Sequence, residues 1–187
     1  MNRAPAKRRS LFGLLARRLE RAQARRPIVL SRSDKEPTSH LDAGELDSFE
    51  RLIDGLSQRG NEDDILRQAA ELAYLSAPAL AAFTPALIET CGRYGEQAGE
   101  IADFLAIFYI GGRANGPDGL RYAETLEKLI PDDAIGYVYL FLMIWERLFY
   151  RFDPSLTHGR DIRALCHAVH ERVRTANNRA ERPRGPW

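Results

Sequence analysis

The residues best suited to chemistry lie near the carboxyl end of the chain. They are one cysteine and three histidines, namely His158, Cys166, His167 and His170. Cys166 and His170 are four residues apart, so on a helix they share one face and could chelate the same ion. A structural zinc site requires four ligands, and His167 lies about 100° from Cys166 around an ideal helix. Only Cys166 and His170 therefore remain as candidate metal ligands. Zinc binding is the last alternative function, and we predict no bound cofactor.

Catalytic chemistry has little support in the residue pattern. A nucleophilic Cys91 or Cys166 would need a histidine base and an orienting group, and adjacent residues on a helix do not face each other. The chain has no GxSxG segment and no Gly-rich loop that ends in Lys-Ser or Lys-Thr. The aspartate pairs at 63–64 and 132–133 fall at predicted helix starts, where the helix dipole favours negative charge. We predict no catalytic residue and a protein that is not an enzyme.

An aromatic stripe recurs every four residues between 137 and 149. Its members are Tyr137, Phe141, Trp145 and Phe149. Long side chains at this spacing usually build a helical core, but an aromatic face can also line a groove for an apolar peptide. We therefore predict these four residues as the contact surface for a partner protein, with a purely structural core as the alternative.

The charges of the chain are divided unevenly along its length. Residues 1–36 carry eleven Lys and Arg against three Asp and Glu, a net charge of +8. Residues 37–159 carry a net charge of −11, and residues from Arg160 onward carry +4. An acidic body between two basic ends points to the ends as segments that contact other molecules.

The basic N-terminal segment has the pattern of an amphipathic helix over roughly 9–26. Leu11, Leu14, Leu15 and Leu19 fall on one side of a helical wheel, with Arg17, Arg18, Arg21 and Arg25 on its flanks. These arginines are the predicted contacts with an anionic membrane surface or with an acidic partner, including a second copy of this chain. A merely solvated basic helix is the alternative. Nucleic acid is not a favoured partner, because the acidic body would oppose a close approach.

The rest of the chain predicts helices and no strand. Helices are expected from about Leu41 to Gly60, Asn61 to Ala73, Thr84 to Cys91, 97–110, Pro117 to Ile130, 133–152 and 160–176. Thr84 and Pro85 form a typical pair for a helix start, and Pro85 is expected to break the preceding segment. No apolar run reaches the roughly 20 residues that a bilayer-spanning helix needs.

The segment 62–135 resembles tetratricopeptide-like helical hairpins, the fold of type III secretion chaperones and similar adaptors. Three predicted helix starts near 62, 97 and 132 are spaced by 35 residues, close to the tetratricopeptide period of 34. The sequence from Tyr122 to Ala134, which includes Pro131 in a Pro-Asp-Asp-Ala turn, resembles the end of such a repeat. The resemblance implies a concave groove that grips a partner helix or peptide. An irregular bundle is the alternative.

These observations define the expected protein. We predict an all-α fold of six to seven helices, either an irregular bundle or a tetratricopeptide-like array, preceded by the basic amphipathic helix. The expected domains are a basic arm and linker at 1–40, a helical domain at 41–176 and a disordered tail at 177–187. Two cysteines favour a reducing compartment, so we expect a cytoplasmic location, at the membrane periphery if the basic helix binds lipid. The predicted function is a non-enzymatic adaptor or chaperone-like interaction domain. A peripheral membrane protein is the alternative, and a homo-oligomer is compatible with both.

Overall fold

The described part of the chain is helical throughout. The computed structural model describes residues 6–58, 61–110, 116–149, 152 and 162–180, and these contain helices and no strand. The α-helices in it are α1 (Ala6–Ala24), α2 (Ala43–Ser57), α3 (Glu62–Arg67), α4 (Ala77–Tyr94), α5 (Gly99–Tyr109), α6 (Gly116–Leu129), α7 (Asp132–Leu148) and α8 (Ile162–Ala180). Short 3₁₀ segments are Ser33–Lys35, Ala69–Tyr74 and Gly95–Ala98. The predicted all-α class is confirmed.

Helix α1 lies between α4 and α7 and is antiparallel to both. Against α7, the ring of Phe12 packs on Trp145 at a centroid distance of 6.0 Å, while Arg25 at the other end reaches Asp133. Against α4, Phe12 approaches Gly92, while Gln23 reaches the opposite end of that helix. One helix therefore joins the two halves of the chain into a single core.

The expected arm at 1–40 is not separate from the fold in the described residues. Phe12, Leu15 and Leu19 of α1 are fully or almost fully buried in the same apolar cluster as the body. An amphipathic helix is stabilised mainly by tertiary packing of its apolar face, and α4 with α7 provides the complementary surface. The linker is also attached to the body, because Ser76 Oγ donates a 3.1 Å hydrogen bond to the carbonyl of Asp34.

Helix α4 runs without interruption through the proline that was predicted to mark a helix start. Pro85 lies inside α4, and the N-cap is Ser76, whose Oγ accepts a hydrogen bond from the amide of Ala79. Thr84 is not a cap, since its Oγ1 donates to the carbonyl of Leu80 at 2.7 Å. The predicted break at Pro85 is therefore wrong.

The carbonyl that Pro85 leaves without a helical partner is satisfied by α1. A proline has no amide hydrogen, so the carbonyl of residue 81 cannot accept its usual bond within the helix. Gln23, which is buried, donates from Nε2 to the Ala81 carbonyl at 2.7 Å. An unpaired buried carbonyl costs about 1–3 kcal/mol. The amide of Gln23 thus allows a proline in the middle of a buried helix.

A glycine sets the distance between α1 and α4. A Cβ atom placed on Gly92 would lie 2.8 Å from the Cβ atom of Phe12, which is closer than real side chains pack. The missing side chain therefore permits α1 to approach the backbone of α4.

Helix α8 makes its extensive contacts with α7 alone among the described elements. Ile162 and Val169 are buried against it, and a Cβ on Gly136 of α7 would lie 3.3 Å from Val169 Cγ1. Arg172 pairs with Asp132 at 3.1 Å, so α8 runs antiparallel to α7. Helix α8 extends to Ala180, four residues into the predicted disordered tail, and residues 181–187 lie outside the described residues.

The structure supports the helical bundle, and the hairpin array over 62–135 stays a prediction. In a repeat array each unit contacts its sequence neighbours. The most extensive pairing of elements joins α1 to α4, and α1 lies outside the segment 62–135 for which the hairpin array was predicted. The predicted helix over 133–152 corresponds to α7, which ends at Leu148. What the structure supports is a helical bundle.

Candidate interaction surface

The outward face of α1 carries two leucines that the fold leaves in contact with solvent. Leu11 is 38% exposed and Leu14 is 46% exposed, whereas Leu15 and Leu19 are buried. The other exposed large apolar side chains in the described part of the chain are Val29, Leu46 and Leu148. A single exposed leucine is common on protein surfaces, so the importance of this pair depends on what surrounds it.

Three of the four predicted arginines share the stripe of the exposed leucines. Arg18, Arg21 and Arg25 are all exposed, and on an ideal helix each leucine lies within about 40° of Arg25. Arg17 is also exposed, but it lies about 80° from Arg25 around the helix axis, on the side away from Leu11. We call the set of Leu11, Leu14, Arg18, Arg21 and Arg25 the outer face of α1.

The positive charge of the outer face is largely unneutralised by the fold. Arg25 Nη1 lies 3.1 Å from Asp133 Oδ2, with side chains 75% and 39% exposed, so water screens this pair strongly. Arg18 and Arg21 form no ion pair with any other residue that the structure describes. Both guanidinium groups therefore remain available to an external anion.

The predicted aromatic contact residues do not form one surface. Phe141 and Trp145 are completely buried, and their rings pack against Phe12 at 5.2 and 6.0 Å. Tyr137 and Phe149 are half-buried, and the ring of Phe149 packs on Trp145 at 4.3 Å. The stripe that the sequence shows on α7 belongs mainly to the core, because α1 covers it.

The predicted metal ligands lie beside a small cavity of about 250 Å³ between α7 and α8. Cys166 and His170 line it together with apolar groups such as Leu140 and Val169. Within the described residues, no group of three or more His, Cys, Asp or Glu side chains is placed to hold a metal ion. His158 lies outside the described residues. Among the described residues, Cys166 and His170 are the sulfur and imidazole groups at this cavity, and Asp132 and Asp133 also line it.

Neither cysteine has the environment of a reactive thiol. Cys91 is completely buried, and desolvation raises the pKa of its thiol well above the ordinary value. Partial burial also raises the pKa of Cys166. The thiolate is the nucleophilic form, and a raised pKa reduces its population at neutral pH. Both side chains are therefore held mainly as neutral thiols, Cys91 in the core and Cys166 partly buried beside α7.

A second cavity, of about 700 Å³, separates α1 from the end of α2 and the start of α3. Its charged lining consists of Arg17 and the carboxylates of Glu20, Glu62 and Glu89. Glu62 is already paired with Arg93. No histidine or cysteine is among the described residues that line it. The described lining of the cavity is therefore mainly acidic, with the hydroxyl of Ser57 and the guanidinium of Arg17 beside the carboxylates.

Sequence reasoning missed the pair of residues, Gln23 and Pro85, that joins α1 to α4 and so turns the outer face of α1 toward solvent. Gln23 lies among the apolar positions of α1, where a buried amide needs a partner, and Pro85 creates an unpaired carbonyl in α4. An amide on an apolar stripe and a proline within a helical period are each visible in the sequence. Their pairing is a long-range contact and requires the fold.

No protein-family model, no curated protein and no solved structure matches this chain. The geometry of the described residues is therefore the basis for assigning a function. None of the helices in that part of the chain combines the length and the hydropathy needed to cross a bilayer.

Proposed function

We propose that the protein is a non-enzymatic interaction domain that binds an anionic membrane surface through the outer face of α1. The observation that carries this proposal is the presence of two exposed leucines on the same helical stripe as three exposed arginines. Arginines bind lipid phosphates, and leucines enter the boundary between headgroups and acyl chains. The protein would then be membrane-peripheral.

The expected binding is reversible. Each basic residue near an anionic bilayer contributes about 1 kcal/mol, so Arg18, Arg21 and Arg25 together supply about 3 kcal/mol. Burying the exposed part of Leu11 and of Leu14 adds roughly 1 kcal/mol each. A total of about 5 kcal/mol resembles the marginal attachment that a single myristoyl chain provides.

The leucines favour a bilayer over the other anionic partners. Nucleic acid is bound through phosphate contacts and base contacts, which exposed leucines do not supply. An acidic protein partner would form ion pairs with these arginines equally well. Protein binding as an adaptor or chaperone would use the remaining partly exposed aromatics, Tyr137 and Phe149, of which only small parts are accessible.

Vesicle co-sedimentation with charge-reversed variants tests the proposal. The full-length protein is mixed with vesicles of phosphatidylcholine that contain about 30 mol% phosphatidylserine, and with vesicles of phosphatidylcholine alone. We expect binding only to the anionic vesicles and weaker binding as salt increases, because screening acts on exposed charges. The double variant Arg18→Glu, Arg21→Glu should lower the partition coefficient at least about 30-fold, which corresponds to about 2 kcal/mol.

A variant with the same change in net charge provides the control. Lys35→Glu with Lys128→Glu reverses two exposed cations outside α1. An equal loss of binding in both double variants would mean that net charge alone drives binding, and the assignment to α1 would fail. If the wild-type protein does not bind anionic vesicles, the membrane proposal is refuted. Binding of a partner protein then remains as the function.

A further inference from the structure

We infer that the membrane-contacting surface continues from α1 onto the end of α7, where Leu148 is the third apolar contact. This inference rests on the proposed function and extends it to a residue far away in sequence. Leu148 is 36% exposed and is the last residue of α7. Two arguments from the packing of α1 on α7 place it beside Leu11 and Leu14.

The first argument concerns position along the helix axes. Phe12 packs on Trp145 and Arg25 pairs with Asp133, so the two contacts define the antiparallel register at both ends. They are separated by about 20 Å on α1 and about 18 Å on α7, at about 1.5 Å per residue, so the register is consistent. Leu148 lies about 4.5 Å beyond Trp145 in the direction in which Leu11 lies beyond Phe12. The two leucines therefore lie at the same end of the helix pair.

The second argument concerns the side of the helix pair. The Arg25–Asp133 ion pair marks one side of the α1–α7 contact. On α1, Arg25 lies within about 40° of both Leu11 and Leu14 around the helix axis. On α7, Asp133 and Leu148 are separated by about 60°, and Leu148 falls between Asp133 and the core-facing Trp145. Leu148 consequently emerges on the side from which α1 displays its outer face.

The combined surface has an apolar end and a basic end. Leu11, Leu14 and Leu148 occupy the end where α1 begins and α7 finishes, and Arg18, Arg21 and Arg25 continue along α1 away from it. Charge complementarity with phosphate headgroups selects an anionic bilayer as the occupant of this surface. The buried face of α1 stays in the core, so the domain binds as a folded unit with the leucine end inserted.

An environment-sensitive probe at single positions tests this geometry. In a Cys166→Ser background, with Cys91 buried, nitrobenzoxadiazole is attached to Leu14→Cys, Leu148→Cys or Leu46→Cys in separate full-length proteins. Leu46 is the matched control, because it is 39% exposed and lies on α2. With the same anionic vesicles, we expect a blue shift and increased emission at positions 14 and 148, and no change at position 46.

The outcomes separate this inference from the function on which it rests. A shift at position 14 without one at position 148 overturns the extension onto α7 and leaves binding through α1 intact. No shift at any position, together with no vesicle binding by the unlabelled protein, removes both. A shift at all three positions would mean unfolding or unspecific adsorption and would also contradict the inference.

Binding of unlabelled variants provides a second measurement. Leu148→Asn should lower the partition coefficient on anionic vesicles about fivefold, while Leu46→Asn should leave it unchanged. Circular dichroism and thermal unfolding establish that both variants keep the fold. Equal partition coefficients for Leu148→Asn and the wild type would refute the role of Leu148.

Discussion

Helices α1 and α8 look alike in sequence but are held by the fold in different ways. Each is 19 residues long, basic and amphipathic. Helix α1 is packed between α4 and α7, whereas α8 packs extensively on α7 alone among the described elements. Amphipathicity indicates that a helix has a face to bury, but it does not indicate how many neighbours will cover that face.

The difference lies in the number and closeness of the contacts that hold each helix. Gly92 admits Phe12 at the backbone of α4, and Gln23 pairs with the Ala81 carbonyl that Pro85 leaves free. Among the described residues, helix α8 has one comparable close approach, between Val169 and Gly136, and packs extensively on one helix. We therefore expect changes at α1 to affect global stability and changes at α8 to have smaller effects.

The largest effect is expected where α1 meets the aromatic core. Phe12→Ala should lower the free energy of unfolding by roughly 3–5 kcal/mol, the usual cost of deleting a large buried ring. Val169→Ala, in the contact between α8 and α7, should cost only about 1–2 kcal/mol. Urea unfolding followed by circular dichroism measures both. A loss below about 1 kcal/mol for Phe12→Ala would show that α1 is not part of the core in solution.

Two substitutions of Trp145, whose ring packs on Phe12, separate the effect of ring volume from the effect of the indole N–H. The indole Nε1 of Trp145 is buried and has no hydrogen-bond partner among the described atoms. Trp145→Ala should also cost roughly 3–5 kcal/mol. Trp145→Phe should cost clearly less, because it keeps a ring and removes an unsatisfied polar group. Equal losses for the two variants would indicate that Nε1 makes a stabilising hydrogen bond.

Glycine substitutions compare the two helix contacts directly. Gly92→Ala should destabilise by about 1–3 kcal/mol, since its Cβ would meet the Cβ of Phe12, which cannot rotate away. Gly136→Ala places a Cβ 3.3 Å from the methyl group Cγ1 of Val169, so a small adjustment suffices. Because alanine favours helix by up to about 1 kcal/mol, this second variant should be close to neutral.

A third glycine on α1 serves as the reference. A Cβ atom placed on Gly13 would meet no neighbouring group within 4 Å, so Gly13→Ala should stabilise by up to about 1 kcal/mol. Thermal melts rank the three variants. If Gly92→Ala were as stable as Gly13→Ala, the close approach of α1 to α4 would be incorrect.

The pairing of Gln23 with α4 gives a smaller and more specific effect. Gln23→Leu should cost about 1–3 kcal/mol, because it leaves the Ala81 carbonyl buried and unpaired. Pro85→Ala restores an amide that can donate to this carbonyl within the helix. In the Pro85→Ala background, Gln23→Leu should therefore cost little. A double-mutant cycle by urea unfolding measures the coupling, and additive effects would exclude this role for Gln23.

The comparison of α1 with α8 also separates what the sequence could and could not predict. The spacing of apolar residues was sufficient for the all-α class, since helices need only local periodicity. It also placed Arg18, Arg21 and Arg25 on the polar side of a helix, where the structure leaves them exposed. Their role as contact residues stays a prediction. The spacing could not show that the opposite side is buried, which depends on α4 and α7. The prediction of a separate basic arm at 1–40 came from composition, and composition carries no information on long-range contacts.

The aromatic stripe and Pro85 illustrate the same limit. The spacing of Phe141 and Trp145 identified a common helix face, but whether such a face is core or binding surface depends on the helix that covers it. Pro85 normally marks a helix boundary, and it is tolerated here only because α1 brings Gln23 to the carbonyl of Ala81. Leu148 entered the candidate surface only through the register of α1 on α7.

The smallest effect is expected from the two ion pairs at the start of α7. Arg25 pairs with Asp133 and Arg172 with Asp132, both at 3.1 Å and both largely in water. Exposed pairs typically contribute less than about 1 kcal/mol. Arg25→Ala and Arg172→Ala should each change the free energy of unfolding by less than that, and added salt should reduce the difference further. Arg25→Ala should nevertheless weaken vesicle binding, while Arg172→Ala should not. A large loss of stability for Arg172→Ala would mean that charge, and not apolar packing, holds α8 on α7.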